Sequence, residues 1–125
     1  MSYCLALACL LCVPNTAQTD DSATELHHGK SSLRLTISPD YDAATRSDIQ
    51  RWIKALSDSL LQVYGRWPKP AWEISVAPAS ARGADPVPWA RIHRGTIDKV
   101  ELYTAPRARF DELELASTGY HELAH

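Results

Sequence analysis

The chain has 125 residues, which suits one domain, and it carries 13 Lys and Arg against 15 Asp and Glu. The resulting net charge of −2 gives no electrostatic basis for binding nucleic acid or an anionic membrane. Its three cysteines are Cys4, Cys9 and Cys12, so residues 13–125 can build neither a disulfide nor a cysteine-based zinc site.

The first 17 residues contain no charged side chain, and residues 4–13 form an apolar run. A helix needs about 20 residues to span a bilayer, so this run is too short. We predict that residues 1–17 are a cleaved signal peptide, which makes the mature chain secreted or periplasmic and leaves it without a membrane span. A lipoprotein anchor at Ala8-Cys9 and a buried amino-terminal segment are the alternatives.

Residues 18–32 are mostly polar, and we predict that they form a flexible lead-in. The folded domain then begins with a strand over residues 33–37, where apolar and polar side chains alternate. The alternation predicts that three side chains face the core: Leu33, Leu35 and Ile37.

A long amphipathic helix is predicted next, over residues 42–64. Asp42 suits the N-cap, because its carboxylate can accept from an amide of the first turn, and Gly65 followed by Pro68 and Pro70 ends the helix. Its apolar positions recur at helical spacing and predict one buried stripe: Ile49, Trp52, Ile53, Leu56, Leu60, Val63 and Tyr64.

Two further alternating segments, residues 72–76 and 99–104, are predicted strands. The order strand, helix, strand predicts a βαβ unit with parallel strands. Residues 78–98 are predicted to be a long surface excursion with one short strand near residues 90–93. Loops of this length often bind ligands, and three side chains here are candidates for substrate contact: Trp89, Arg91 and His93.

The last segment is predicted to be one helix that begins at Asp111, with Glu114 at the third helical position as the partner in a capping box. Gly119 costs about 1 kcal/mol inside a helix, so we expect it to allow a close packing contact. The buried side is predicted to consist of Leu113, Ala116, Tyr120 and Leu123.

This helix ends in the pattern H-E-x-x-H, formed by His121, Glu122 and His125. Positions i and i+4 lie above one another on a helix, so both imidazoles can reach one metal ion while the carboxylate lies beside it. The motif resembles that of the zincin superfamily of zinc metallopeptidases. Four residues in and around it also match the extended signature of that superfamily: Thr118, Gly119, Leu123 and Ala124.

The resemblance implies that His121 and His125 bind Zn²⁺, that Glu122 is the general base, and that the substrate is a peptide or protein. It also implies an α+β fold of the gluzincin type over residues 33–125. In this fold a mixed sheet of three to four strands, including the βαβ unit, backs the motif helix.

In such enzymes a strand close to the motif helix is an edge that pairs with extended substrate, by ordinary ladder hydrogen bonds. The resemblance therefore implies substrate contact at the last strand, through Val100, Glu101, Leu102 and Tyr103. An interior strand without a ligand is the alternative, because sequence does not show sheet order.

Catalytic zinc takes three protein ligands, and zincins supply the third downstream of the motif. We therefore expect this chain to be the amino-terminal part of a longer enzyme, inactive on its own. The alternative is a secreted non-catalytic domain, or an inactive fragment with a partial metal site, which binds a partner through a sheet edge. Sequence does not indicate the oligomeric state.

Overall fold

The computed structural model describes residues 23–80 and 83–124. Residues 1–17, the predicted signal peptide, lie outside these ranges. The described elements, in chain order, are β1 (Thr24–His28), β2 (Ser31–Ile37), α1 (Ala43–Tyr64), β3 (Ala71–Pro78), β4 (Trp89–His93), β5 (Asp98–Thr104), α2 (Phe110–Leu115) and α3 (Ser117–Ala124). In the part of the chain that the structure describes, no helix has the length and apolar character needed to cross a membrane.

The strands form one mixed sheet in the order β1-β2-β3-β5-β4. The three central strands, β2, β3 and β5, are parallel, and the two outer strands, β1 and β4, each pair antiparallel with their neighbour. The α+β class and the parallel β2–α1–β3 unit are therefore confirmed. The predicted sheet of three to four strands was too small, because it has five.

Strand β1 lies within residues 18–32, so the prediction of a flexible lead-in is wrong for residues 24–28 and for the start of β2. Gly29 adopts a φ of 57°, which lets a two-residue turn reverse the chain between the strands. Leu26 packs against the core, and backbone pairing with β2 holds the remaining residues of β1 in place. The polar composition of residues 18–32 gave no sign of this strand, because the backbone hydrogen bonds between strands do not require apolar side chains.

The core lies between one face of the sheet and the helices. Alternate strand residues such as Leu35, Ile74 and Leu102 are buried in one cluster with Trp52 of α1 and Leu123 of α3. The intervening strand residues lie on the opposite face, called here the open face, and remain half-buried or exposed. The sheet thus has a helix-covered face and an open polar face.

Helix α1 has the predicted bounds, because both of its ends are fixed by local chemistry. The Thr45 amide donates to Asp42 Oδ1 at 2.7 Å, and Gly65, at φ 68°, donates from its amide to the Leu61 carbonyl at 2.8 Å. The predicted stripe is buried as far as Leu60. Val63 and Tyr64 are 73% and 57% exposed, so their predicted burial is wrong.

Trp67 explains the exposure at that end of α1. It lies just after the helix, is buried, and donates from Nε1 to the Ser57 carbonyl at 3.1 Å. The chain thus folds back after Gly65 and places this indole in the core. The last turn of α1 is left at the surface.

The predicted single last helix is interrupted. Ala116 has extended backbone angles (φ −75°, ψ 118°) and separates α2 from α3. The predicted start at Asp111 with Glu114 in the capping box is also wrong. Helix α2 has its N-cap at Arg109, whose amide donates to Glu112 Oε2 at 2.9 Å, so the start lies two residues earlier.

A distant carboxylate fixes this earlier start. Asp48 of α1, which is largely buried, accepts from the Phe110 amide at 3.2 Å and lies 3.1 Å from Arg109 Nε. Arg51 of the same helix lies 4.1 Å from the centre of the Phe110 ring. These contacts hold the start of α2 on α1, and the local capping signal at Asp111 is overridden.

Candidate functional site

Helix α3, which carries His121 and Glu122 of the motif, packs closely on α1 through Gly119. A Cβ at this position would lie 2.6 Å from Trp52 Cζ2 and 3.0 Å from Leu56 Cδ1. Both side chains are buried, and Trp52 has no exposed surface, so neither can easily give way. The predicted packing role of Gly119 is confirmed: glycine lets the two helices approach where any side chain would collide.

The same contact decides which side of α3 faces outward. Gly119 and Leu123 are buried against α1 and the sheet, whereas His121 is exposed. At 3.6 residues per turn, His121 lies about 160–200° around the helix from these buried positions. Tyr120 was predicted to be buried, but it is 36% exposed because it sits at the border of the buried side.

The structure describes two of the three predicted zinc-site residues. His121 is exposed and Glu122 is half-buried, while His125 lies outside the described residues. Among residues 23–80 and 83–124, no three His, Cys, Asp or Glu side chains group closely enough to hold a metal ion. The described residues therefore do not complete a zinc site by themselves.

Glu122 faces a narrow crevice between α3 and the turn that joins β4 to β5. Lys69, Arg94 and Asp98 line the same crevice. Asp98 accepts from Arg94 Nη1 at 2.6 Å and lies 3.1 Å from Lys69 Nζ. Arg94 above all, and then Lys69, hold the pKa of the Asp98 carboxyl at about 2. Two cations and one ionised carboxylate thus line the crevice that Glu122 also lines, and nothing in the sequence placed these residues together.

The lowered pKa of Asp98 predicts how the stability of the fold depends on pH. An Asp with an ordinary pKa of about 3.9 in the unfolded chain and about 2 in the fold stabilises the fold fully above pH ~4, and this stabilisation is lost as the pH falls through about 2. We expect the Asp98 carboxyl carbon to titrate near pH 2 in an NMR experiment, and Arg94→Ala to raise that midpoint. An unchanged midpoint near 3.9 in the unsubstituted chain would contradict the ion cluster.

Strand β4 lies at the edge of the sheet and contacts α3, as its neighbour β5 also does. Strand β5 lies between β3 and β4 and is paired on both sides. The prediction that residues 100–103 lie on an edge strand is therefore wrong, because β5 is an interior strand of the described sheet. Contact of their side chains with a substrate stays a prediction. The four residues concerned cannot pair with a substrate backbone: Val100, Glu101, Leu102 and Tyr103.

The side chains of β4 alternate between the two faces of the sheet. Ala90 and Ile92 pack against the core, whereas Trp89, Arg91 and His93 lie on the open face and are exposed. The predicted strand near residues 90–93 is confirmed. Its alternation was visible in the sequence, but nothing in the sequence placed it at the edge beside the motif helix.

A groove of about 830 Å³ borders the first turn of α3. Thr118 lines it from the motif helix, Leu115 from α2, and Pro86 and Arg107 from the connections that precede β4 and follow β5. Leu115 is 87% exposed at its rim. The groove offers space for a ligand side chain one turn ahead of His121.

The chain was also compared with known proteins, and no protein-family model matches it, nor does any curated protein or solved structure.

Proposed function

We propose that this chain carries part of the active site of a zinc-dependent peptidase. One observation carries the proposal: His121 stands on the side of α3 opposite to Gly119, which fixes the helix on the core, and Glu122 lies next to it, half-buried. A helix that is held this closely keeps its outward side chains in a defined position, which a metal site requires.

In this proposal His121 and His125 would hold the zinc, and the third ligand would come from a segment outside residues 23–80 and 83–124. The outward direction of His121 supports that arrangement, because such a segment can approach α3 from the side away from the sheet. The chemistry that the metal supplies is activation of a water molecule and polarisation of the scissile carbonyl. Glu122 accepts the proton of the attacking water and returns it to the leaving amine.

The free edge of β4 would hold the substrate. An extended peptide can add to an exposed sheet edge by backbone hydrogen bonds, and β4 is the edge next to the motif helix. The groove beside Thr118 would accept a substrate side chain. The edge role that the zincin resemblance gave to β5 thus passes to β4.

Zinc binding tests the first step of the proposal. In the natural protein that contains these residues, His121→Ala should weaken zinc binding by about a hundredfold or more. This follows because an apparent binding free energy of ~10–16 kcal/mol, as structural zinc sites have, amounts to about 3–5 kcal/mol for each of three protein ligands. Isothermal titration with zinc chloride measures the change. His27→Ala, a matched change at an exposed histidine of β1, should have no effect.

A non-catalytic binding domain is the second candidate, and the open edge of β4 favours it. Such a domain would bind extended peptides without cleaving them. Equal zinc affinities in the unsubstituted protein and in His121→Ala, together with no hydrolysis of any peptide, would exclude the peptidase and leave the binding domain.

A further inference from the structure

The open-face side chains of β4 and β5 form a patch with an unusual distribution of charge. Glu101 accepts from Tyr103 Oη at 3.3 Å, lies 3.1 Å from His93 Nε2 and 3.5 Å from Lys99 Nζ. The hydrogen bond from His93, aided by the charge of Lys99, lowers the pKa of the Glu101 carboxyl, so this group stays ionised. Its carboxylate therefore has three partners among these neighbours.

Arg91 is the directly opposite residue on β4, yet it is not the partner of Glu101. The two residues face each other in the ladder, and Arg91 is exposed. In the described ranges Arg91 makes no ion pair within 4 Å. The middle of the edge strand thus presents a guanidinium whose opposite residue in the ladder, Glu101, already has three other partners.

Trp89 flanks this guanidinium on the same face. Its side chain is 62% exposed, and it lies opposite Tyr103 in the ladder. The two rings border a pocket of about 290 Å³ that also includes Arg91 and Pro78. Along the open face of β4, an apolar position and a cationic position therefore follow each other at a spacing of two residues.

We infer that β4 binds an extended peptide with an acidic side chain opposite Arg91 and an apolar side chain two residues away, opposite Trp89. The backbone of such a peptide would pair with the free side of β4, and its side chains would alternate between the two faces. Opposite residues of neighbouring strands bring their Cβ atoms within about 5.5 Å of each other. An Asp or Glu there meets the guanidinium directly.

This inference deepens the proposed function by naming the substrate class, and it rests on the placement of β4 as the binding edge. The other use of a charged edge residue is to prevent edge-to-edge aggregation. That use needs no exposed tryptophan beside the charge and no preference between peptides. A preference for an acidic peptide therefore distinguishes peptide binding at β4 from mere protection against aggregation.

The test compares three capped peptides, Thr-Val-Thr-Glu-Thr-Val-Thr and its analogues with Gln or Lys in place of Glu. Binding is measured by fluorescence anisotropy at low salt with the natural protein carrying Glu122→Gln, so that no peptide is consumed. We expect the Glu peptide to bind about two- to fivefold more tightly than the Gln peptide, and the Lys peptide to bind most weakly. Added salt should reduce the difference.

Arg91→Glu should reverse the order of the Glu and Lys peptides. Arg34→Glu is the matched control, because it makes the same charge change at an exposed position of the open face, on β2. Three strand spacings, about 14 Å, separate it from β4, which exceeds the screening length of about 10 Å. This control should keep the original order.

Equal affinities for the three peptides, no binding of any, or the same order in Arg91→Glu would overturn the inference. These outcomes are independent of catalysis. Selective binding without hydrolysis by the unsubstituted protein would refute the peptidase and keep the inference. Hydrolysis without a preference for the Glu peptide would refute the inference and keep the peptidase.

Discussion

Replacing Glu122 by Gln is expected to lower the rate constant of peptide hydrolysis by about 10²–10⁴-fold, the usual contribution of a general base. The reason is chemical, since the amide of Gln cannot accept a proton from water at neutral pH. Zinc content should stay the same, because in the proposed site Glu122 stands beside the metal and does not bind it. Activity assays on the natural protein and elemental analysis for zinc measure both quantities.

Glu114→Gln provides the control for this substitution. Glu114 is exposed on α2, and its replacement removes the same charge close to the motif helix. It should leave both the rate and the zinc content unchanged. A Glu122→Gln protein with full activity would refute the role of Glu122. A protein that lost its zinc would also refute it, because the carboxylate would then be needed to hold the metal and not to move a proton.

Replacing Gly119 by Val is expected to destabilise the fold by about 3 kcal/mol or more. Inserting atoms into a packed core costs ~1–3 kcal/mol, and Val adds two methyl groups beyond a Cβ that already lies 2.6 Å from Trp52. The helix propensity that is gained on removing glycine is at most about 1 kcal/mol, so the collision dominates. Urea unfolding measures the difference in the free energy of unfolding.

Two further variants identify the cause of that loss. Ala124→Val places the same side chain on an exposed position of α3 and should have little effect. Trp52→Phe removes the atom that a Cβ at Gly119 would meet, so it should cost less stability in Gly119→Ala than in the unsubstituted chain. The contact would be contradicted if the losses of stability caused by Trp52→Phe and Gly119→Ala simply added in the double variant. It would also be contradicted if the Gly119→Val and Ala124→Val chains had the same free energy of unfolding.

Sequence alone predicted the elements whose signals are local. The bounds of α1 follow from a carboxylate at Asp42 and a left-handed glycine at Gly65, and both act within one helical turn. The three central strands follow from alternation, because one of their faces is buried. The choice of His121 and Glu122 as candidate site residues came from spacing in the same way.

The features that were missed depend on distant residues. Strand β1 exists because β2 offers a partner, and α2 starts early because Asp48, 62 residues away, accepts from the Phe110 amide. The identity of the edge strand was also missed. It depends on which strand pairs with β5 on its other side, and the hydrogen bonds of a ladder leave no mark on the sequence of β5 itself.

For the candidate site, the sequence by itself determined which groups of the motif are available: two imidazoles and a carboxylate at helical spacing. Only the tertiary structure decided what surrounds them. It turned His121 away from the core, placed Lys69, Arg94 and Asp98 in the crevice that Glu122 lines, and brought β4 beside α3. The physical reason is that helical periodicity is a property of neighbouring residues, whereas close packing and strand pairing join residues far apart in the chain.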